Sequence, residues 1–318
     1  YKPQELSFMK DFLWTMIYGW TQVRGADLLI TSNNLNAMAG VFLRELGIVK
    51  RVVFMMIDYS PKRFDNPVVE AIYRWVDRFA AVHADSCWPI AVSMLDGRVQ
   101  RGTVRYDEVS YCEAPMGTYS HVIFKDGEIP YNMRDLIYVG NPNAKNVRAD
   151  FLLDMAAYLR DRGEKFRLIF VGPGSTEKLE AKCKELKLEN YVVFRGSVAD
   201  ILDLEKLCAT CGIGLAPYDP YLEGNFSRFA DPGKIKNYLG CGLPVVSTVV
   251  PPIAKEIEER GAGYMADMTP EEFSAKILKL WSDEAAYKRA RVKAREMGDE
   301  YAWPVIFDRL LEHEGFGK

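Results

Sequence analysis

The feature that most limits the fold of this chain is a regular alternation of short apolar runs and helix-like segments after residue 136. The runs LIYVG at 136–140 and RLIFV at 167–171 have the length and composition of buried strands. Between them, residues 149–161 place alanine and leucine side chains on one helical face. Further strands are predicted at 191–196, 212–216 and 244–248, and further helices at 176–187, 199–209, 233–241 and 252–260. This alternation is typical of βαβ units and predicts a parallel sheet with helices on both faces.

The first part of the chain repeats the pattern less regularly. Strands are predicted at 27–31, at 51–57, within 79–93 and at 111–117, and helices at 34–47 and 66–79. A doubly wound domain usually begins with a strand and a glycine turn, but this chain begins with a helix-like segment. The N-terminal domain is therefore expected to be truncated, or short by one or two βα units. Residues 118–135 lose periodicity and gather turn residues, which predicts a linker near 120–134.

The predicted fold class is α/β, with two Rossmann-like, doubly wound parallel-sheet domains facing a cleft. The predicted bounds are 1–125 for the N-terminal domain, 134–300 for the C-terminal domain, and 301–318 for a closing helix that packs back toward the N-domain. In such sheets, ligands bind outside the carboxyl ends of the strands.

Composition argues against several classes of partner. The chain has 41 basic and 44 acidic residues and a formal net charge of −3, which gives no long-range attraction to nucleic acid. Six cysteines in 318 residues do not make a disulfide framework and indicate a reducing compartment. Cys208 and Cys211 form a C-x-x-C, but no second pair accompanies them, so no structural zinc site is predicted.

The N-terminal helix-like segment is rich in aromatic residues. The stretch FLWTMIYGW at 12–20 is too short to span a membrane. Phe8, Phe12, Met16 and Trp20 share one helical face, which favours packing on a core, with contact to a membrane surface as the alternative.

Three loops that follow predicted strands of the C-terminal half are expected to meet at one sheet edge. The first, GNPNAKNVR at 140–148, offers Lys145 and small-residue backbone for a phosphate. The second, VGPGS at 171–175, allows close backbone approach but lacks the G-x-G-x-x-G spacing of a dinucleotide site. The third is the long loop that leads into FADPGKIKNYLG.

The start of the helix at 233–241 has the composition of an anion site. Asp231 is expected to act as N-cap before a proline in the first helical turn. Lys234 and Asn237 lie three residues apart, on one face near the positive end of the helix dipole. A lysine there is unfavourable without an anion, although a solvated surface lysine could bear the cost of ~0.3–1 kcal/mol.

Taken together, the order of these motifs resembles the C-terminal, donor-binding domain of GT-B glycosyltransferases, especially the family-4-like retaining group. The resemblance rests on GN…K, RLIFVGPG, VVFRG, GIGLAPY and P-x-K-x-x-N-Y-L-x-C-G-L-P-V-V, and it covers about 134–318. Fainter matches upstream are IDYSP at 57–61, HADSCWPIAVS at 83–93 and APMGTY at 114–119. YAWPVIFDRLLEH at 301–313 resembles the closing helix of that family.

The resemblance implies a nucleotide-diphosphate sugar bound between the domains and transfer of the sugar to an acceptor hydroxyl. Lys145 matches the lysine that holds the donor diphosphate, and 231–234 matches the segment that cradles phosphate and sugar. Asn237 and Phe229 stand where the family usually has the two glutamates of its E-x7-E motif.

The site residues expected from the loops and the resemblance fall into two groups. Those assigned to catalysis are Lys145, Lys234 and Asp58, and those assigned to the donor are Gly140, Asn141, Gly172, Gly174, Arg195, Gly196, Ser197, Val198, Arg228, Asp231, Gly233 and Asn237.

The chemistry implied by the resemblance needs charge stabilisation on the leaving diphosphate and alignment of the acceptor. A retaining reaction requires no dedicated base, whereas an inverting one would use a carboxylate, for which Asp58 is the candidate. No D-x-D motif follows a strand, so neither a metal nor a cofactor beyond the donor is expected.

The expected acceptor is a glycan or glycolipid, in polysaccharide or lipid-linked glycan synthesis, with the enzyme in the cytoplasm or at the inner face of the membrane. Two other functions stay open at this point. The missing glutamates would suit a catalytically silent GT-B-like binding protein. A nucleotide-sugar epimerase fits less well, because it would need paired carboxylates and histidines, and the chain has 3 histidines.

Overall fold

The computed structural model describes residues 4–125 and 127–317, which divide into two compact units. The first unit comprises the residues up to Pro115 together with those from Arg309, and the second runs from Met116 to Asp308. Each unit is defined by the contacts among its own residues. The domain bounds expected from the sequence stay a prediction.

The first unit is a small parallel sheet with helices. Its elements are α1 (Gln4–Gln22), β1 (Leu29–Thr31), α2 (Asn34–Glu45), β2 (Val52–Met56), α3 (Pro67–His83), β3 (Ser86–Pro89) and α4 (Ser93–Gln100). The strands are parallel in the order β1-β2-β3. The apolar side chains of β2 fill the middle of this unit, because β2 is paired on both sides.

Two predicted strands of this unit are wrong in extent. Within 79–93, the first residues belong to α3, and only Ser86–Pro89 forms a strand. The strand predicted at 111–117 is reduced to a bridge between Tyr111 and Cys87, with the N–H of Ala114 donating to the carbonyl of Pro89 at 2.8 Å. The run FAAVH is apolar enough for a strand or a buried helix. It forms a helix here because it continues the long amphipathic helix α3.

Helix α1 carries apolar side chains on more than one face. Phe12 and Met16 are half-buried as expected, whereas Trp20 is exposed, and the side chain of Phe8 lies outside the described part of the chain. Gly19 lets α1 approach α2, since a Cβ there would lie 2.1 Å from a methyl of Leu43. No helix among the described residues is long and apolar enough to cross a membrane.

The second unit contains a larger sheet of six parallel strands. Its elements are α5 (Ser120–Ile123), β4 (Asp135–Val139), α6 (Phe151–Asp161), β5 (Arg167–Val171), α7 (Glu177–Glu185), β6 (Val192–Phe194), α8 (Ile201–Ala209), β7 (Ile213–Ala216), α9 (Gly233–Gly240), β8 (Val245–Ser247), α10 (Ile253–Glu259), β9 (Gly263–Met265), α11 (Pro270–Ser282), α12 (Glu284–Glu300) and α13 (Trp303–His313), the last of which runs on into the residues of the first unit. The strand order is β6-β5-β4-β7-β8-β9.

This strand order creates a switch point between β4 and β7. From β4 the chain winds outward through β5 and β6, and then it returns to β7 on the other side of β4 and winds outward again. Open α/β sheets bind ligands at such a point, outside the carboxyl ends of the two strands. Here those ends lead into the loops that begin at Gly140 and Pro217.

Helix α9 is fastened to both strands by one buried tyrosine. The hydroxyl of Tyr238 accepts a hydrogen bond from the N–H of Val139 at 2.7 Å and donates to the carbonyl of Leu215 at 3.3 Å. Gly214 makes room for the ring, because a Cβ there would lie 2.4 Å from it. Helix α9 is thereby held against the two strands of the switch point.

Candidate functional site

Three glycines line the carboxyl ends of β4, β5 and β6. The N–H of Gly140 donates to the carbonyl of Val171 at 2.8 Å, and the N–H of Gly172 donates to the carbonyl of Gly196 at 2.9 Å. Gly140, Gly172 and Gly196 have positive φ angles of 137°, 149° and 69°. A Cβ on Gly172 would lie 2.3 Å from the carbonyl oxygen of Gly140, so this edge of the sheet consists of closely packed bare backbone.

The loop after β4 is joined to the loop after β5. The side-chain oxygen of Asn141 accepts from the N–H of Asn143 at 2.9 Å, and the amide of Asn143 donates to the carbonyl of Ser175 at 2.8 Å. Gly174 allows this contact, since a Cβ there would lie 2.6 Å from the side-chain oxygen of Asn141. The two predicted glycine loops therefore form one surface.

The same loop is joined to the segment after β7. Val147 pairs with Tyr218 in an antiparallel bridge, and the amide of Asn146 donates to the hydroxyl of Ser227 at 2.8 Å. Lys145 lies on this loop with an exposed side chain. Arg148, three residues further along the loop, forms an ion pair with Asp150 at 3.0 Å.

Helix α9 begins without a side-chain cap. Its N-cap is Pro232, which has no side-chain oxygen, so the expected N-cap role of Asp231 is wrong. The carboxylate of Asp231 instead accepts from the N–H of Met116 at 2.8 Å and lies 3.2 Å from the ammonium of Lys236. The first N–H groups of a helix have no intrahelical partner, so an uncapped N-terminus is suited to an anion.

Lys234 extends from this N-terminus toward the glycine edge. Its ammonium lies 4.4 Å from the ring centroid of Tyr138 and 5.1 Å from that of Tyr218. It would be 2.9 Å from a Cβ on Gly140. Burial lowers the pKa of Lys234 to about 7, and no neighbouring carboxylate among the described residues offsets this effect. A cation placed in this way is stabilised by an anionic ligand.

The remaining donor residues expected from the sequence differ in exposure. Arg195, Gly196 and Ser197 are exposed after β6, and Val198 beside them is half-buried. The side chain of Arg228 is exposed and donates to the carbonyl of Pro220. Gly233 opens α9, and Asn237 is half-buried one turn further on.

Asp58 belongs to a separate cavity in the first unit. It follows β2 and forms an ion pair with Arg63. The cavity has a volume of about 280 Å³ and begins where β1 and β2 end. Polar groups on its wall include the side-chain nitrogen of Asn34, which is buried and has no hydrogen-bond partner among the described residues. Its other walls are mostly apolar, with Phe54, Met56, Phe64, Val69 and Ile72 among them.

Sequence reasoning missed three residues of the α9 region. Tyr138 and Tyr218 flank the ammonium of Lys234, and Lys236 is almost completely buried. The tyrosines lay inside runs that were assigned to a strand and a loop. Because side chains alternate between the two faces of a strand, the sequence could have indicated that Tyr138 and Gly140 share one side of β4. The burial of a lysine leaves no local signal in a sequence.

Comparison with known proteins agrees with the sequence-based resemblance. Residues 133–283 match the model of a family described as glycosyl transferases group 1. Comparison with curated protein sequences found no match.

Several solved structures have the same fold over nearly the whole chain. Sucrose-phosphate synthase from Thermosynechococcus elongatus has a TM-score of 0.71 and 14% identity, covering 99% of this chain and 80% of that one. HepE from Anabaena, solved in complex with UDP, has a TM-score of 0.69 and 17% identity, covering 97% and 81%. WaaG, a glycosyltransferase involved in lipopolysaccharide biosynthesis, has a TM-score of 0.62 and 14% identity, covering 97% and 96%.

The predicted GT-B fold is confirmed, as is the assignment of the chain to the glycosyltransferase enzymes. The assignment of individual site residues stays a prediction.

Proposed function

We propose that this chain, a group 1 glycosyltransferase by its residues 133–283, takes its sugar from a nucleotide-diphosphate donor and transfers it to an acceptor hydroxyl. The observation that carries the proposal is the position of Lys234, a half-buried lysine at the uncapped start of α9, beside the bare backbone of Gly140. A diphosphate bound there would receive backbone N–H groups, the helix dipole and one ammonium group.

The residues around this point would act on charge that grows as the sugar leaves. In the transition state, the bond between the sugar and the diphosphate lengthens, and negative charge moves onto the diphosphate oxygens. Lys234 would stabilise that charge from a partly buried position, and Lys145 and Arg228 would approach from the loops after β4 and β7. Because Lys234 already lies against the rings of Tyr138 and Tyr218, little reorganisation of this group is required.

We propose a retaining reaction that requires no metal. The cations of the chain would offset the charge of the diphosphate, and the leaving phosphate oxygen would take the proton of the acceptor hydroxyl. Asn237 would hydrogen-bond a donor hydroxyl as a neutral amide. In the inverting alternative, Asp58 would be the general base, released from its pair with Arg63.

The cavity of the first unit is our proposed site for the acceptor. Its polar groups include Asp58 and the unpartnered nitrogen of Asn34, and its apolar walls suit the faces of sugar rings or an apolar aglycone. A glycan or glycolipid acceptor has both kinds of surface. This supports a role in polysaccharide or glycolipid synthesis, in the cytoplasm or at the membrane face where such acceptors are elongated.

Contact with a membrane surface would suit a lipid-linked acceptor. Trp14, Ile17 and Tyr18 on α1 and Ile72 and Trp75 on α3 are all exposed. Tryptophan and tyrosine prefer the interface between lipid and water, so we propose that these helices meet a bilayer surface. Co-sedimentation with phospholipid vesicles should fall when Trp14, Tyr18 and Trp75 are changed to serine together, and unchanged sedimentation would exclude this contact.

The test of the proposed reaction is the release of nucleotide diphosphate from a set of sugar nucleotides. The full chain should cleave the sugar from at least one of the UDP, GDP or ADP sugars, slowly with water and faster with glycan acceptors. NMR of the first-formed product should show the anomeric configuration of the donor, and activity should persist in EDTA. An inverted product that disappears in Asp58→Asn would overturn the retaining proposal, and loss of activity in EDTA would overturn metal independence.

A further inference from the structure

Helix α9 carries a second lysine that points away from the proposed donor site. Residues 234 and 236 are about 200° apart around a helix, so Lys234 and Lys236 lie on opposite sides of α9. Lys236 is 2% exposed. Its ammonium lies 3.2 Å from a carboxylate oxygen of Asp231 and 3.2 Å from the ring centroid of Tyr301. A fully buried cation therefore lies within one turn of the proposed phosphate site but on the other side of the helix.

The partners of Lys236 belong to segments that surround the start of α9. Asp231 lies immediately before the N-cap, and its other carboxylate oxygen accepts from the N–H of Met116. Tyr301 follows α12, and its carbonyl accepts from the N–H of Thr118 at 2.8 Å. The ion pair, the hydrogen bond from Met116 and the contact with the ring of Tyr301 thus join three pieces of chain: the segment 116–118, the end of α12, and residues 231–236.

A buried ion pair adds little net stability to the contact between these pieces of chain. The loss of hydration of both charges offsets much of their attraction, and apolar residues of similar volume often give equal or greater stability. What an ion pair adds is a defined geometry, because each oxygen and each N–H has one best partner. In this case the geometry belongs to residues 231–233, which lead directly into the uncapped N-terminus of α9.

We propose that Lys236 is a positioning residue for the donor site. Through Asp231 it fixes residues 231–233, and these set the direction of the first N–H groups of α9 and of the side chain of Lys234. Lys236 does not touch the donor. The role rests on the proposed function, because it assigns Lys236 to the binding of the same diphosphate.

The test separates positioning from stability with a double variant. In Lys236→Met or Asp231→Asn alone, one buried group loses its partner, so both melting temperature and nucleotide affinity should fall. In Asp231→Asn/Lys236→Met no charge is left unpaired, so the melting temperature should recover toward the wild-type value. The affinity for the nucleotide that the wild type binds best among UDP, GDP and ADP should stay about tenfold to a hundredfold weaker, since the N–H groups are no longer held in place.

The matched control breaks an ion pair between an exposed arginine and a buried aspartate at the opposite end of the same sheet. Arg167→Met leaves Asp135, whose carboxylate is buried at the start of β4, without its guanidinium. This variant should lose melting temperature and keep nucleotide affinity. Hydrogen exchange of the amides at 231–236 should increase in the double variant and remain unchanged in the control.

The possible outcomes distinguish this proposal from the function on which it rests. A double variant that binds nucleotide as tightly as the wild type, with unchanged exchange at 231–236, overturns the positioning role alone. A wild-type chain that binds none of the three nucleotides overturns the proposed function. In that case the exchange data still decide whether Lys236 orders the start of α9.

Discussion

Nucleotide binding by this chain should depend on pH because of Lys234. Burial lowers the pKa of its ammonium to about 7, so the free protein loses this proton above neutral pH. A bound diphosphate attracts a proton to the same nitrogen, and binding above pH 7 should therefore be accompanied by uptake of nearly one proton. A one-unit difference in pKa corresponds to a tenfold change, so Kd should rise about tenfold per pH unit. Between pH 7.5 and 9.5 the loss is about a hundredfold.

Calorimetry of the full chain with UDP measures this dependence directly. Titrations in two buffers of different ionisation enthalpy give the number of protons taken up. The diphosphate is already ionised in this pH range, and ordinary lysines keep their protons to about pH 10. Lys234→Met should bind UDP weakly with little dependence on pH, and Lys255→Met, a change on the exposed side of α10, should behave as the wild type.

The stability of the protein without ligand should depend on pH in the opposite direction to nucleotide affinity, which gives an independent check. Between pH 7 and 10.5 the unfolded chain binds more protons at this lysine than the folded chain. The free energy of unfolding should therefore rise with pH across that window for the wild type, relative to Lys234→Met. Equal pH dependence of affinity in wild type and Lys234→Met, or no proton uptake, would refute the reasoning.

Three further substitutions test neighbouring parts of the account. Gly140→Ala places a methyl group 2.9 Å from the ammonium of Lys234, on a residue with a φ of 137°. The affinity for UDP should therefore fall at least about tenfold in calorimetry, and an unchanged affinity would show that this sheet edge is not part of the site. Tyr238→Phe leaves the buried N–H of Val139 without its acceptor and should cost about 1–3 kcal/mol in urea unfolding, whereas a smaller change would mean that another group replaces the hydroxyl. Burial raises the pKa of Glu205 to about 7, so this group lowers the free energy of unfolding increasingly as pH rises from 4.5 to 7. Glu205→Gln should therefore be about 3 kcal/mol more stable at pH 8 and lose that pH dependence, and equal stability of the two proteins at pH 8 would contradict this prediction.

The sheet of the second unit could be read from the sequence because its strands are buried on both faces. Such strands appear as continuous apolar runs, and the predicted bounds lie within about two residues of those observed for β4, β7 and β8. The same property misled the reading at 79–93. There the apolar residues after Arg78 continue α3, and a short apolar run does not distinguish a strand from a buried helix.

The site could be predicted only in part. The position of a loop after a strand can be read from the sequence, whereas contacts between side chains of different segments cannot. Gly140 and Gly172 were located by their position after strands, a rule that depends on topology alone. The role of Asp231 was missed because one partner, Met116, is distant in the sequence, and the burial of the other, Lys236, leaves no local signal. The capping rule describes local preference, and a buried cation nearby outweighed it.

The most direct test of the account is a calorimetric titration of the full chain with UDP, GDP and ADP in turn at pH 7.5 without metal. The account predicts saturable binding of one molecule of at least one nucleotide, with affinity that falls in Gly140→Ala and in Lys234→Met. A folded chain that binds none of the three, or that binds equally well after both substitutions, would contradict a diphosphate site at the start of α9.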